Sequence, residues 1–532
     1  MRSLLRLLCG LALLLSAFLA AAQQAPMPRL ERNGDRYDLI VDGKPFIMLG
    51  GQCGNSSNWP AVLPEVWETM AQMHANTLEI PIYWEEIERE RGKFDFSSIQ
   101  RLLDQARERD MRLVLLWFAT WKNGSNHYMP EWMKLDSKKF PNVVGLGGKQ
   151  IDSPSPHTKE AMELDAKAFA AVMRFLREAD PQHPVIMVQV ENEPGAWDSV
   201  RDYSQAVERE FSRGLVPDAL LKPEVLKELG GAAKKGTWSE VFGARADEYF
   251  HAWHVASYIG YVAAAGKAEN PLPLYVNAAL RDPLSNPPAT QYESGGPTDN
   301  VIAIYKAAAP AIDLCAPDIY LRGDANYMTV LDLYTRPDNA LFVPETSAGG
   351  STKYLYEVLR RGIGFSPFGV DHTQARNGRI AAEYGLLKPV AGQLAQWLSE
   401  GRVSTAYEPE DGPKRQTVDL GGWQAVLTFG AGRRGTTPVT QGEPVGKAMI
   451  VKFAEGDFLV MGTDVHVSFL PQGKDKGKPW HFLRIEEGCY DEAGEWQMRR
   501  VLNGDESDWQ GPYIGAEPQM LRIRVYAREI RK

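Results

Sequence analysis

The stretch from Pro184 to Gly195, Pro-Val-Ile-Met-Val-Gln-Val-Glu-Asn-Glu-Pro-Gly, constrains this chain more than any other. Its first half is an unbroken apolar, largely β-branched run, the pattern of a strand buried on both faces in a parallel sheet covered by helices. It ends in acids and amides, then a Pro-Gly break. Charges at the end of a buried strand are costly unless they line a cleft, so this ending places a candidate site at the carboxyl edge of the sheet. Ala340 to Thr346 is a second apolar run, with one carboxylate, Glu345, near its end.

Around these two landmarks the chain alternates apolar strands with amphipathic helices, the rhythm of βα units. Strands are expected at 45–51, 76–83, 112–119, 184–191, 272–279, 312–320, 340–345 and 362–370. Helices are expected at 64–74, 97–109 and 158–178, in a long insertion at 202–267, and at 379–400. Eight strands in this order predict a (β/α)8 barrel. The rival, a doubly wound open sheet, would usually show a glycine-rich phosphate turn after the first strand. Gly50-Gly51-Gln52-Cys53-Gly54 is not followed by that spacing.

From about residue 403 the texture changes to short alternating runs between Gly, Asp and Pro turns, such as Trp423–Phe429, 457–461 and 521–526. This predicts a C-terminal antiparallel β domain, sandwich or jelly roll, which either binds carbohydrate or covers a flank of the barrel. The N-terminus has basic Arg2 and Arg6, an apolar core from Leu7 to Leu19, and Ala20-Ala21-Ala22, the layout of a cleaved secretory signal. The expected division is thus a signal at 1–22, a catalytic barrel at 23–402 and a β domain at 403–532. A periplasmic or secreted location follows, with no membrane span once the signal is removed.

The net charge is -9, or -11 without Arg2 and Arg6, and no basic run is present. Nucleic acid and anionic membrane are therefore not expected partners. Removing Cys9 with the signal leaves Cys53, Cys315 and Cys489, an odd and widely spaced set. No disulfide framework is expected, and each is read as a small buried hydrophobe. The nine histidines show no His-Glu-x-x-His or comparable motif, and no Gly-x-Ser-x-Gly elbow accompanies Asp371-His372. No metal or other cofactor is expected, and oligomeric state is not legible.

All eight strand ends of a barrel converge on one pocket, so Glu193 and Glu345 can meet although they are far apart in sequence. Cleavage of a glycosidic bond needs such a pair, one carboxyl protonated and one ionised. Strand alternation would put Glu191 and Glu193 on the same side and does not choose between them. Val188-Gln189-Val190-Glu191-Asn192-Glu193 resembles glycoside hydrolase family 35, the β-galactosidases of the retaining barrel clan. Asn76-Thr77-Leu78-Glu79 and Gly92-Lys93-Phe94-Asp95-Phe96 are similar to that family's second-strand segment and turn. Pro194 departs from the family's usual aromatic residue there. The third-strand exit, Trp117-Phe118-Ala119-Thr120-Trp121-Lys122-Asn123-Gly124, resembles instead the bacterial β-galactosidases of family 42.

The resemblance covers the barrel alone. It implies a retaining exo-β-galactosidase with Glu193 as acid/base, Glu345 as nucleophile and Asn192 on the sugar 2-hydroxyl. Glu79, Tyr83, Trp121, Asn123, Asn277 and Tyr320 are candidate substrate contacts. Tyr83, Trp84, Trp117, Trp121 and Tyr320 sit at strand ends where a ring would stack on a sugar, and Tyr320 would also orient the nucleophile. A galactose side chain of a plant polymer such as xyloglucan is a natural substrate in this reading. The alternatives are a β-glucosidase, β-mannosidase or other glycosidase on the same barrel, and a non-catalytic polysaccharide-binding protein.

Overall fold

The computed structural model describes residues 25–373, 375–432, 444–508 and 510–529. The expected signal at 1–22, with Cys9, lies outside them. Eight parallel strands form the central sheet: β1 (Met48–Gln52), β2 (Thr77–Tyr83), β3 (Arg112–Lys122), β4 (Val185–Asn192), β5 (Leu274–Ala279), β6 (Leu314–Ile319), β7 (Glu345–Thr346) and β8 (Gly364–Phe365). β8 pairs with β1, and a parallel bridge from Val343 to Phe365 links it to the segment before β7, closing a (β/α)8 barrel. Of the expected seventh strand, 340–345, only Glu345 is laddered, together with Thr346 beyond it. Pro344 has no N–H to donate, and the ladder takes hold just beyond it.

The helices wrap the barrel because their apolar stripes and the outer strand faces share one core. Ile99, Leu102 and Leu103 of helix Ser97–Glu108 join it, as do Ala168, Phe169 and Val172 of helix Lys159–Ala179. The expected insertion at 202–267 is not one helix. It divides into Gln205–Arg213, Pro223–Leu229, Trp238–Phe242 and Ala246–Glu269, broken at Pro217, Pro223 and the left-handed Gly230. Lys388-Pro389 likewise splits the final helix into Arg379–Leu387 and Ala391–Ser399.

Beyond residue 402 two antiparallel sheets pack face to face. The larger has the order Val403–Tyr407, Lys447–Ala454, Asp457–Thr463, Gln519–Ala527, Trp480–Tyr490, Trp496–Leu502; the smaller has Arg415–Asp419, Trp423–Phe429, Val465–Pro471, Tyr513–Ile514. Alternation decides what each face covers. Ala448, Ile450 and Val460 enter the sandwich core with Leu427 and Phe469. Met449, Val451, Leu459 and Met461 face the other way and join the barrel's core. The β domain is therefore seated on the barrel. At the seam Lys447 Nζ lies 2.6 Å from Glu383 Oε1, both side chains buried, and Tyr356 and Thr463 also donate to that carboxylate.

Cys53 and Cys315 are buried, but Cys489 is exposed, which corrects the expectation for that residue. It sits on Trp480–Tyr490 with its side chain turned away from both cores. No helix among the described residues is long and apolar enough to cross a membrane.

Candidate active site

Parallel register brings the acids together. Asp318 at the end of β6 is paired in register with Glu345 of β7, and Glu193 follows β4 directly across the mouth. One carboxylate oxygen from each of Glu193, Asp318 and Glu345 lies within 4.8 Å of the others, and all three residues are buried. Two full charges at that distance repel by about 3 kcal/mol even at an effective dielectric of 20. The trio therefore holds a proton.

Hydrogen bonding shows where charge is welcome. Glu345 accepts from Gln52 Nε2 at 2.8 Å, from the Tyr320 hydroxyl at 2.9 Å and from Asn192 Nδ2 at 3.4 Å. Three donors converging on one carboxylate fix its orientation. Burial first, and then the Glu345 charge, push Glu193 up to about 7, while Lys122 opposes. Burial and the same neighbours raise Asp318 well above the carboxylate range. The contact between Asp318 and Glu193 lowers Glu193 and raises Asp318, which places the proton of the pair on Asp318. Asn277 spans the pair, its Nδ2 donating to Asp318 Oδ2 at 2.7 Å and its Oδ1 accepting the Glu193 backbone N–H at 2.9 Å.

Backbone strain separates the two glutamates that alternation left equivalent. Glu191 and Glu193 both have positive φ, 63° and 43°, a conformation that costs a non-glycine residue on the order of 1–2 kcal/mol. Val188 and Val190 face the helices, so plain alternation would turn Glu191 into the barrel. The left-handed step swings it out instead. There its carboxyl accepts the Trp121 N–H at 2.7 Å and bonds Asp165 of helix Lys159–Ala179. Asp165 also accepts from Trp117 Nε1 and Thr120 Oγ1, so this buried acid pair ties β3 and β4 to the helix layer.

The other expected contacts divide. Asn192, Asn277 and Tyr320 meet the catalytic-type acids directly, as described. Glu79 is wholly buried lower in the barrel, where it accepts from the Tyr275 hydroxyl at 3.0 Å and burial raises it well above its usual range. Tyr83 is nearly buried, its ring stacked between Trp59 and Tyr128. Asn123 accepts from Lys122 Nζ. The aromatic rim is corrected. Trp84, Trp117 and Trp121 are fully buried, with Trp117 on Asp165 and Trp121 edge-on to Tyr258 of helix Ala246–Glu269. Trp84 opens the short helix Trp84–Ile87, and the strand parity of Trp117 and Trp121 sends those two to the helix side. The exposed aromatics near the mouth are Trp59, Trp197 and Tyr320, at 41%, 44% and 50%. Asp371 receives the Gly54 N–H and the Ser57 hydroxyl, holding the loop after β1.

Several residues escaped the sequence reading. Asp318 stood two positions before Tyr320 as an acid inside an apolar strand, a signal available but unused. Gln52 carried the weaker mark of an amide closing a buried strand. Lys122 acts on Glu193 by charge, and Glu193 in turn acts on Glu293; nothing local marks either partner. Glu293 is buried with neither carboxyl oxygen in a satisfactory hydrogen bond, and burial raises it well above its usual range. Its Oε1 lies 2.4 Å from where a Cβ on Gly124 would stand, and Gly124 has φ +70°, so only glycine fits there.

Residues 53–244 match the glycoside hydrolase family 42 model, described as beta-galactosidase. This family 42-type segment holds β2 to β4 and Glu193, and stops before Asp318 and Glu345. Residues 380–511 match a domain of unknown function, DUF5597. A β-galactosidase of Xanthomonas manihotis is 26% identical over 198 residues, 35% of this chain and 30% of that protein. Beta-galactosidase 11 of Arabidopsis thaliana is 25% identical over 174 residues, 30% of this chain and 19% of that protein. The chain thus spans less than a third of the length of these curated relatives. Among solved structures, the β-galactosidase of Bacillus circulans sp. alkalophilus matches with a TM-score of 0.47 and 15% identity, over 66% of this chain and 57% of that one. The family match lies with family 42, the likeness that the third-strand exit carries.

Proposed function

We propose that the protein is a retaining exo-β-galactosidase working by double displacement, with Glu345 as nucleophile and Glu193 as acid/base. The observation that carries this is the contrast within one 4.8 Å cluster: Glu345 is ringed by donors, while burial beside Glu345 raises Glu193 to about 7. Retaining pairs stand about 5–5.5 Å apart, whereas inverting pairs need about 6.5–9.5 Å to admit a water. The β-galactosidase match over residues 53–244 supports the substrate class. The finer placement in family 35 rests on the Val188–Glu193 motif.

In this reading Glu345 attacks the anomeric carbon while Glu193 protonates the departing oxygen. Glu193 then takes a proton from water as the glycosyl ester is hydrolysed. Tyr320, Gln52 and Asn192 keep Glu345 aimed. Asp318 and Asn277 hold the acid's carboxyl and its backbone in place until the leaving oxygen arrives. The leaving glycan lies in the cleft of about 850 Å³ beside Tyr320, walled by Arg322, Ser347 and Gly350 of the barrel and Glu410 of the β domain. Export to the periplasm or beyond, directed by residues 1–22, would bring the enzyme to polymer-derived galactosides such as xyloglucan side chains.

A panel of aryl β-glycosides tests the class: kcat/KM should favour the galactoside over its gluco and manno epimers. Equal or greater efficiency on the glucoside would move the assignment to a β-glucosidase on the same site. A 2-fluoro-galactoside with a good leaving group should label the peptide containing Glu345. A label on another carboxylate, or first release of the α-anomer, would reject the mechanism.

A further inference from the structure

On the outer side of the barrel, away from the acid cluster, three metal-binding side chains converge from three separate elements. His157 stands just before helix Lys159–Ala179, Glu210 lies on Gln205–Arg213, and His254 on Ala246–Glu269. His157 Nδ1 is 3.1 Å from Glu210 Oε2, and His254 Nε2 is 3.5 Å from Glu210 Oε1. One donor atom from each lies within 4.8 Å of the others. The edges of a tetrahedron with zinc–ligand bonds of about 2.0–2.1 Å are about 3.3 Å long. The two separations, each to a different oxygen of Glu210, lie close to that value, and the widest separation in the trio stays within 4.8 Å.

The rings are held from behind. Phe250 stacks on His157 at 5.5 Å and tilts against His254 at 4.4 Å, and Phe211 packs edge-on to Phe250. The front is open, with the Glu210 side chain 48% exposed and those of His157 and His254 12% and 20%. His251, one turn before His254, is turned instead toward Gly295 and is not a fourth donor.

We propose that His157, Glu210 and His254 form a site for a zinc-like divalent transition metal, with its remaining position open to water. Two imidazoles and one carboxylate suit zinc and its neighbours, whereas calcium and magnesium prefer oxygen alone. The sequence scan missed it because the ligands lie on three elements and make no local motif. The ion cross-links the helical insertion to the helix that follows β3. It is independent of the glycosidase reading, since none of the three residues belongs to the acid cluster.

The full chain, stripped with chelator and desalted, is titrated calorimetrically with zinc chloride. About one equivalent should bind, and both His254→Ala and Glu210→Gln should weaken binding by at least about 10-fold. His481→Ala, on the β domain, should bind as the wild type does. X-ray absorption of the zinc-loaded wild type should show imidazole scattering with ligands at about 2.0–2.1 Å. Failure to bind zinc, or equal binding in both ligand variants, would overturn the proposal. Equal binding would place the ion elsewhere, with Glu193, Asp318 and Glu345 the next candidates. Aryl-galactoside turnover, read in parallel, reports separately on the function.

Discussion

At the scale of single residues, the site turns on how three acids within 4.8 Å divide their protons. Glu345→Gly removes the nucleophile and should lower kcat at least about 1,000-fold on every galactoside; azide should restore turnover of an activated substrate as the α-glycosyl azide. Glu193→Ala removes the acid, worth about 100- to 10,000-fold. Its loss should fall on substrates with poor leaving groups and largely spare glycosylation by nitrophenyl galactosides, with azide giving the β-glycosyl azide. Activity of the wild type requires Glu193 protonated, so kcat/KM should fall as pH rises through about 7. Asp318→Ala removes the donor that holds Glu193 down and puts nothing in its place. The alkaline limb should then move to higher pH. A drop in rate with an unmoved limb would make Asp318 merely structural.

At the scale of elements, register and strain set the chemistry. Pairing of Asp318 with Glu345 across β6 and β7, and the left-handed steps at Glu191 and Glu193, decide which acids face the pocket. The turn after β7 shapes the neighbouring cleft. A Cβ on Gly350 would meet nothing within 4 Å, so Gly350→Trp should fold and project an indole into the space reserved for the leaving glycan. The expected result is a loss of about 10-fold in kcat/KM on oligosaccharide galactosides, about 1.4 kcal/mol, with aryl galactosides unchanged. Equal effects on both substrates would remove the leaving group from that cleft.

At the scale of the whole molecule, one sheet of the β domain serves two cores, and the Lys447–Glu383 pair fixes the seam. Removing one partner of a buried pair leaves the other charge uncompensated, at a cost of about 3–5 kcal/mol. Glu383→Ala should therefore lower the melting temperature markedly and bring out separate transitions for barrel and β domain in calorimetry. Replacing an exposed pair such as Lys93–Glu90 should change stability by less than about 1 kcal/mol. A single unshifted transition in Glu383→Ala would show that apolar contact alone holds the seam.

The barrel was legible in the sequence because strands buried on both faces and amphipathic helices leave unequal, local patterns, as in Val185–Asn192 and Ser97–Glu108. The positions of Glu193 and Glu345 were legible too, since an acid ending an apolar strand has few physical reasons to be there. Alternation also foretold a β domain, though not which of its faces would meet the barrel. What depended on neighbours far along the chain stayed hidden. Asp318 gains its place from register with Glu345, and Glu191 loses its place in the pocket to Asp165. Trp117 and Trp121 turn outward by a parity that sequence alone does not anchor, and His157, Glu210 and His254 meet only after three helices have packed. A one-dimensional pattern records what each segment buries; tertiary structure decides which buried groups become partners.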